Sequence, residues 1–322
     1  MKKLLSILLV AMMVLGLAAG TAMAEDKPKI GMVFNDPSTQ VVSTLANHAK
    51  AKAEEMGAEA TLVYHEYNVQ TMISQIEQFT VAEYDAILVL PMNSNDGIEA
   101  MQAAMDKGIH VLTFDTIPNC DYTASFTASN AELGYKIGEA AAEWAKEALV
   151  AKGIKPVIGV IDYRESEFLT ARSDGILTAL AELLPEGEVV MSLSATQEAT
   201  GMAAAENFLT AYPDMNIVCT INDDSASGVL NAFTAYGLGN DPERGIFSCD
   251  GTLTGLTHVK EDNIHRACID LSLPTVGEWM VECAMQNILG EEVTYEKDTA
   301  FPMKKVTPEN AQESIDIWNG EF

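Results

Sequence analysis

Apolar runs rich in β-branched residues alternate with stretches of helical periodicity along nearly the whole chain. Residues 29–34 (KIGMVF) predict a strand. After it Val42, Leu45, Ala46, Ala49, Ala53 and Met56 fall on one face of a helix that Gly57 ends. Residues 60–64 predict a second strand, and Met72, Ile73, Ile76 and Phe79 stripe a second helix. A third strand follows over 86–90, a helix from about 95 to 107, and a fourth strand over 110–114. The pattern then restarts. Helices are predicted over 130–150, 168–184, 201–212 and 225–236, and strands over 156–161, 189–193, 217–221, 246–249 and 266–269. Strands alternating with helices of this length imply βαβ units and parallel sheets covered on both faces. The blocks ILVLPMNSND…HVLTFD and IVCTINDDSA…GIFSCD echo each other as strand, polar loop, helix, strand, Asp. The expected fold is therefore α/β, with two similar doubly wound parallel-sheet lobes. No low-complexity linker separates them, so short structured connections are expected.

The polar residues that follow the strands carry the chemistry. Asn35, Asp115, Asp162, Asn222, Asp250 and Asp270 each come directly after an apolar run. In open parallel α/β sheets ligands bind beyond the carboxyl ends of the strands. Carboxylates and carboxamides placed there make paired hydrogen bonds to neighbouring hydroxyls. Each of these residues taken singly also fits a helix N-cap, because the loops lead into helices. Six such positions divided between two lobes fit a facing pair of polar rims. Arg172, in the stretch TARSDG, offers a forked guanidinium suited to several hydroxyls and a carboxylate at once; a surface ion pair is the alternative.

The ends and the charge narrow the setting. Lys2 and Lys3, an apolar run over 4–19 and Ala22-Met23-Ala24 form the three parts of an export leader, with cleavage expected after Ala24. Leu17-Ala18-Ala19-Gly20 begins like a lipoprotein site, but Thr21 stands where the lipid-bearing Cys is required. A periplasmic or secreted protein is expected, and 298 residues remain after 24 of 322 are removed, a length that suits two lobes. Those residues keep 17 Lys and Arg against 47 Asp and Glu, a formal charge near −30. Such a field repels phosphate backbones, so no nucleic-acid partner is expected, whereas a neutral ligand meets no penalty.

Catalytic and metal signatures are absent from the sequence. There is no GxSxG elbow, P-loop, HExxH, or GxGxxG between a strand and a helix. The five histidines are scattered, and the five cysteines contain no CxxC. An odd cysteine count leaves at least one free thiol, and Cys219, Cys249 and Cys268 sit in apolar runs where they fit as small hydrophobes. No cofactor or metal is expected.

Taken together, the chain resembles the ribose- and galactose-binding class of periplasmic sugar-binding proteins, the receptors of sugar ABC transporters. The same fold forms the effector domain of lactose-repressor-type regulators. The resemblance runs through residues 30–34, LTFD at 112–115, TARSDG at 170–175, FLTAYPD at 208–214, INDD at 221–224 and CDGT at 249–252. It implies that Asp115, Arg172, Asn222 and Asp250 hydrogen-bond sugar hydroxyls, with Asn35 as the first-strand contact. Ser272 falls where the family carries Gln or Asn before Leu-Pro, a departure. The larger departure is aromatic. Val41, Val42 and Thr196 stand where relatives clamp the sugar ring, with Phe168, one turn before Arg172, as a compensating candidate. Thr39 completes the candidate set. A pentose, a furanose, a linear polyol or an inositol fits these departures as well as ribose or galactose.

The resemblance also implies a hinge crossed three times. One lobe is expected over 25–129 plus 273–302, and the other over 130–272 plus 303–322. The expected partners are a small neutral polyhydroxylated ligand and the membrane permease of an ABC transporter, with the binding protein acting as a monomer. Two other functions share the cleft: a receptor for a sugar-like signal or chemotaxis input, and a sugar-modifying enzyme using Asp115 and Asp250 as an acid/base pair. A repressor is disfavoured by the leader, the acidity and the lack of a DNA-binding headpiece.

Overall fold

The computed structural model describes residues 27–320; the leader expected over 1–24 lies outside the described residues. In chain order the elements are β1 (Lys29–Phe34), α1 (Gln40–Glu55), β2 (Glu59–Tyr64), α2 (Val69–Val81), β3 (Ala86–Val89), α3 (Ile98–Asp106), β4 (His110–Phe114), β5 (Ala124–Thr127), α4 (Asn130–Ala148), β6 (Val157–Asp162), α5 (Glu167–Leu183), β7 (Glu188–Ser194), α6 (Glu198–Ala211), β8 (Ile217–Thr220), α7 (Asp223–Ala235), β9 (Gly245–Asp250), α8 (Leu253–Lys260), β10 (His265–Asp270), α9 (Leu273–Leu289), β11 (Asp298–Ala300), β12 (Lys304–Val306) and α10 (Ala311–Asn319).

The strands form two six-stranded sheets, ordered β11-β5-β4-β3-β1-β2 and β12-β10-β9-β8-β6-β7. Every pairing is parallel except β10 with β12. The two sheets thus repeat one strand order, as the echoed sequence blocks predict, and differ in the direction of the edge strand, β11 parallel and β12 antiparallel to its neighbour. The central strands β3, β6, β8 and β9 are buried along their whole length because helices cover both faces, whereas the edge strands β2 and β7 are largely half-exposed. Side chains of one strand serve opposite cores. Ile30, Met32 and Phe34 of β1 join one cluster with α1 and α9, and Val33 joins another with Met72, Ile76 and Met101 of α2 and α3. In the second sheet, α4 and α5 cover the face bearing Ile158 and Val160, and α6 and α7 cover the face bearing Ile161 and Val218.

The chain passes from the first sheet to the second after β5, returns after β10 through α9, which packs on α1, and passes again between Ala300 and Lys304. Strands β5, β11 and β12 carry no apolar run that sequence periodicity could register. Helix α3 starts at Ile98 because Gly97 takes a left-handed conformation (φ 69°). Helix α10 starts at Ala311 because 307–310 close a turn, with the Thr307 amide donating to Asn310 Oδ1 at 2.8 Å. All five cysteines are free thiols. Among the described residues no helix is long and apolar enough to cross a membrane.

Helices α4 and α5 form the tightest helix pair around the second sheet. They touch backbone to backbone at Gly134, where an added Cβ would lie 1.9 Å from the Arg172 carbonyl oxygen. A backbone atom cannot yield as a flexible side chain does. Gly134→Ala is therefore expected to destabilise the protein by about 1–3 kcal/mol in a denaturant titration, through forced separation of α4 and α5. An unchanged midpoint would show that the helices separate freely.

Candidate functional site

The two sheets present their carboxyl ends to each other, and the strand-following acids stand there on unusual backbone. Asp115 follows β4 with φ 64°, and Asp250 ends β9 with φ 104°. Side chains rarely enter this region, and Asp enters it at a cost held by surrounding bonds. At Asp115 the neighbouring strand supplies them: its amide donates to the Phe126 carbonyl at 2.7 Å, and Thr127 Oγ1 donates to its carbonyl at 2.8 Å. The two acids thus occupy equivalent ends of equivalent strands, one in each sheet, as the echo LTFD/FSCD predicts.

The charge of Arg172 acts on both. The residue sits in the second turn of α5 and is only 7% exposed. Asn130 Oδ1, at the start of α4, accepts from both Nε (3.0 Å) and Nη2 (2.7 Å). Nη1 donates to the Ile221 carbonyl at 2.7 Å and to Cys249 Sγ at 3.3 Å, and lies 3.5 Å from Asp250 Oδ1. Burial opposes the charge on the guanidinium, yet Cys249, Asp250 and Asp115 hold it protonated. Asp115 comes from the other sheet. Burial pushes its carboxyl upward, and the attraction of Arg172 works against that rise. Asp115, Arg172 and Asp250 therefore share one electrostatic neighbourhood across the cleft.

The other candidates surround this cluster. Asn222 caps α7, as its place before a helix allows: its Oδ1 accepts from the Ser225 amide at 3.0 Å, while Nδ2 donates to the Thr196 carbonyl at 2.8 Å. Thr39 caps α1 by accepting from the Val42 amide at 3.3 Å. Ser272 sits on left-handed backbone (φ 53°) before α9, with its amide on Asp270 Oδ1 at 2.7 Å. Asn35 follows β1, and its Oδ1 is buried with no hydrogen-bond partner among the described residues. Phe168 opens α5 and is 40% exposed. Asp162 is engaged by Arg164 Nε at 3.0 Å, which leaves it tied within its own loop.

Three features escape sequence reasoning. Asn130 reads as an ordinary helix-start residue but clamps Arg172. Gln40 and Thr254, 214 positions apart, join α1 to α8 across the cleft: Gln40 Nε2 donates to Thr254 Oγ1 at 2.6 Å, and the Thr254 amide to Gln40 Oε1 at 3.4 Å. Asp223, beside Asn222, is fully buried. Among the described residues no cluster of three or more His, Cys, Asp or Glu could hold a metal ion.

Comparison with known proteins gives this geometry a context. The family model described as "Periplasmic binding protein domain" matches residues 30–292. The ribose import binding protein of Salmonella typhimurium is 28% identical over 296 residues, covering 91% of this chain and 95% of that protein. The D-ribose/D-allose-binding protein of Pseudomonas aeruginosa is 23% identical over 91% of this chain and 93% of its own length. Among solved structures, a periplasmic solute-binding protein of an ABC transporter from Actinobacillus succinogenes, with bound D-allose, superposes with a TM-score of 0.78 at 22% identity. It covers 89% of this chain and 100% of that one. A solute-binding protein from Bacillus halodurans with bound myo-inositol gives 0.76 at 22% identity, covering 92% and 100%.

The buried acids make stability depend on pH. Burial lifts the Asp250 carboxyl to about 7, with Arg172 opposing and Asp223 and Asp224 adding to the rise. A carboxyl that protonates more easily in the folded chain than in the unfolded one binds its proton preferentially in the folded state. Its stabilisation is complete below the ordinary carboxylate pKa of about 4 and is lost as the pH rises through about 7. Asp250→Asn is therefore expected to lose less stability than the unaltered protein between about pH 5 and 7.5, read as urea midpoints. Parallel midpoint curves would place the Asp250 titration outside this window.

Proposed function

The chain belongs to the periplasmic binding protein domain family, and on that premise we propose that it is an extracytoplasmic solute-binding protein. It captures a small neutral sugar or polyol between two lobes and delivers it to the permease of an ABC transporter. The observation that carries this reading is that Asp250, 3.5 Å from the buried guanidinium of Arg172, and Asp115, which feels its charge, stand at equivalent strand ends of the two sheets. Carboxylates accept from hydroxyls and a guanidinium donates to them, so the group can grip a ring of vicinal hydroxyls from both sides. Asp250 lies 3.5 Å from Arg172 and Asp115 adds its charge to the same neighbourhood, so the guanidinium is partly neutralised, which suits a neutral ligand better than an anionic one.

The lobes are taken as 25–129 plus 273–302 and 130–272 plus 303–322, joined by three crossings. Asn222, Asn35, Thr196, Ser272 and Thr39 line the remaining rim, and the exposed Phe168 supplies an apolar face. The absence of aromatic side chains at Val41, Val42 and Thr196 favours a pentose, furanose, linear polyol or inositol over a stacked hexopyranose. A relative named for ribose and a related fold holding myo-inositol fall in this range, whereas the D-allose named for another relative and held by another related fold is a hexose outside it. Ligand contacts to both lobes favour the closed form, to which Gln40 and Thr254 add a direct bond, and the closed form docks on the permease. The protein acts in the periplasm as a monomer, without cofactor or nucleic acid, and releases its ligand unchanged.

A thermal-shift screen against D-ribose, D-allose, L-arabinose, myo-inositol and linear polyols tests this. At about 100-fold saturation a ligand of the folded state adds roughly 2.7 kcal/mol of stability. One class of these compounds is expected to raise the midpoint, and Arg172→Ala to abolish the shift. No shift with any of them would remove the sugar assignment, and chemical turnover of a bound compound would replace capture with catalysis.

A further inference from the structure

We infer that Asp223 is a positioning residue of the cleft, whose carboxylate holds the turn after β9 so that Asp250 faces Arg172. This rests on the proposed function, in which Asp250 meets the captured ligand. Asp223 is 0% exposed, and its carboxylate gathers donors from three separate elements. Oδ1 accepts from Ser248 Oγ of β9 at 2.5 Å and from Cys268 Sγ of β10 at 3.2 Å. Oδ2 accepts from the Thr252 amide at 2.8 Å and from Thr252 Oγ1 at 2.9 Å. Thr252 lies two residues past Asp250, and its hydroxyl also caps α8 by accepting from the Gly255 amide at 3.1 Å.

The turn needs such an anchor. Asp250 has φ 104° and Gly251 φ 71°, two successive residues in a region that side chains avoid. The turn is packed from the other side as well, since a Cβ on Gly251 would lie 2.2 Å from Asp270 Oδ1. Local preference would let Asp250 relax to negative φ and swing its carboxylate away from Arg172. Two bonds from Asp223 to Thr252, made in a dry interior where hydrogen bonds are strong, oppose that relaxation.

The same group excludes a nucleophilic role for Ser248. His265 Nε2 is 2.7 Å from Ser248 Oγ, so Asp223, Ser248 and His265 form a chain. The single hydroxyl proton is directed at Asp223, so the imidazole must donate to Ser248 and cannot accept its proton. Burial pushes His265 down to about 3, which keeps it neutral. A triad needs the order serine, histidine, acid, with an accessible hydroxyl. Here the hydroxyl lies between the two others, and Ser248 and His265 are both buried. The assembly positions backbone.

Asp223→Asn keeps the shape but turns one acceptor into a donor, which would face either Thr252 or Ser248 and Cys268. The test is a double-mutant cycle in calorimetric affinity, with D-ribose, D-allose and myo-inositol as probes, combined with crystal structures of the ligand-free proteins. Asp223→Asn is expected to weaken the bound probe at least tenfold, and Thr252→Val, which removes one bond and spares the rest, to weaken it in the same direction. In an Asp250→Asn background Asp223→Asn is expected to cost little more, because its effect passes through Asp250. A full loss persisting in that background, or no loss at all, overturns the assignment. If the unaltered protein binds none of the probes, the sugar reading fails and the structures decide alone. Asp250 at negative φ and separated from Arg172 in Asp223→Asn, or in Thr252→Val if the first variant does not fold, supports the role. Retention of positive φ and of the Arg172 contact overturns it.

Discussion

A guanidinium with 7% of its surface exposed must find partners for its five N–H bonds inside the protein, and Arg172 imposes that demand on much of the second lobe. Asn130 answers two of the donors from α4, the Ile221 carbonyl and Cys249 answer others from the strand ends, and Asp250 supplies charge. For Asn130 to reach, α4 must press on α5 until their backbones meet, which is why a residue without Cβ stands at Gly134. Removing one partner would leave a buried charge short of a bond, which costs more than the bond itself contributes.

Asp115, from the opposite sheet, feels the charge of the same guanidinium. Burial pushes its carboxyl upward, and the attraction of Arg172 offsets part of that rise. The mouth carries a second link between Gln40 and Thr254. A hinged protein whose lobes feel each other's charge at the floor and share a hydrogen bond at the rim has two places where a ligand can shift the balance between open and closed forms. The positive φ values of Asp115 and Asp250 belong to the same arrangement, because residues on relaxed backbone would aim their carboxylates elsewhere.

The strand and helix alternation was legible because buried parallel strands read as apolar runs and amphipathic helices as stripes. The short β5, β11 and β12 were not, since three or four residues with polar members carry no period. Asp115, Asn222 and Asp250 could be named because each ends or follows a readable strand; Arg172 stands in a readable helix, but periodicity left a surface ion pair equally open and only the family resemblance singled it out. The role of Asn130 could not be, since a carboxamide at a helix start looks the same whether it meets water or an arginine 42 positions on. Asp223 and Asp224 are adjacent acids at the start of one helix. Sequence cannot rank them, yet one is fully buried and the other half-buried, because a step of about 100° turns one inward and the other toward the surface.

By itself the sequence determined the repeated α/β architecture, the strand ends that carry acids, and the large excess of acidic over basic residues. These follow from local periodicity and composition, which any stretch of chain displays without reference to the rest. Only the tertiary structure decided which acids share Arg172, which helix clamps it, how Gln40 meets Thr254, and that Asp223 faces inward to hold the turn behind Asp250. Those are contacts between residues far apart in the chain. They depend on how closely helices pack and on which buried donor must be satisfied, and no local pattern encodes either.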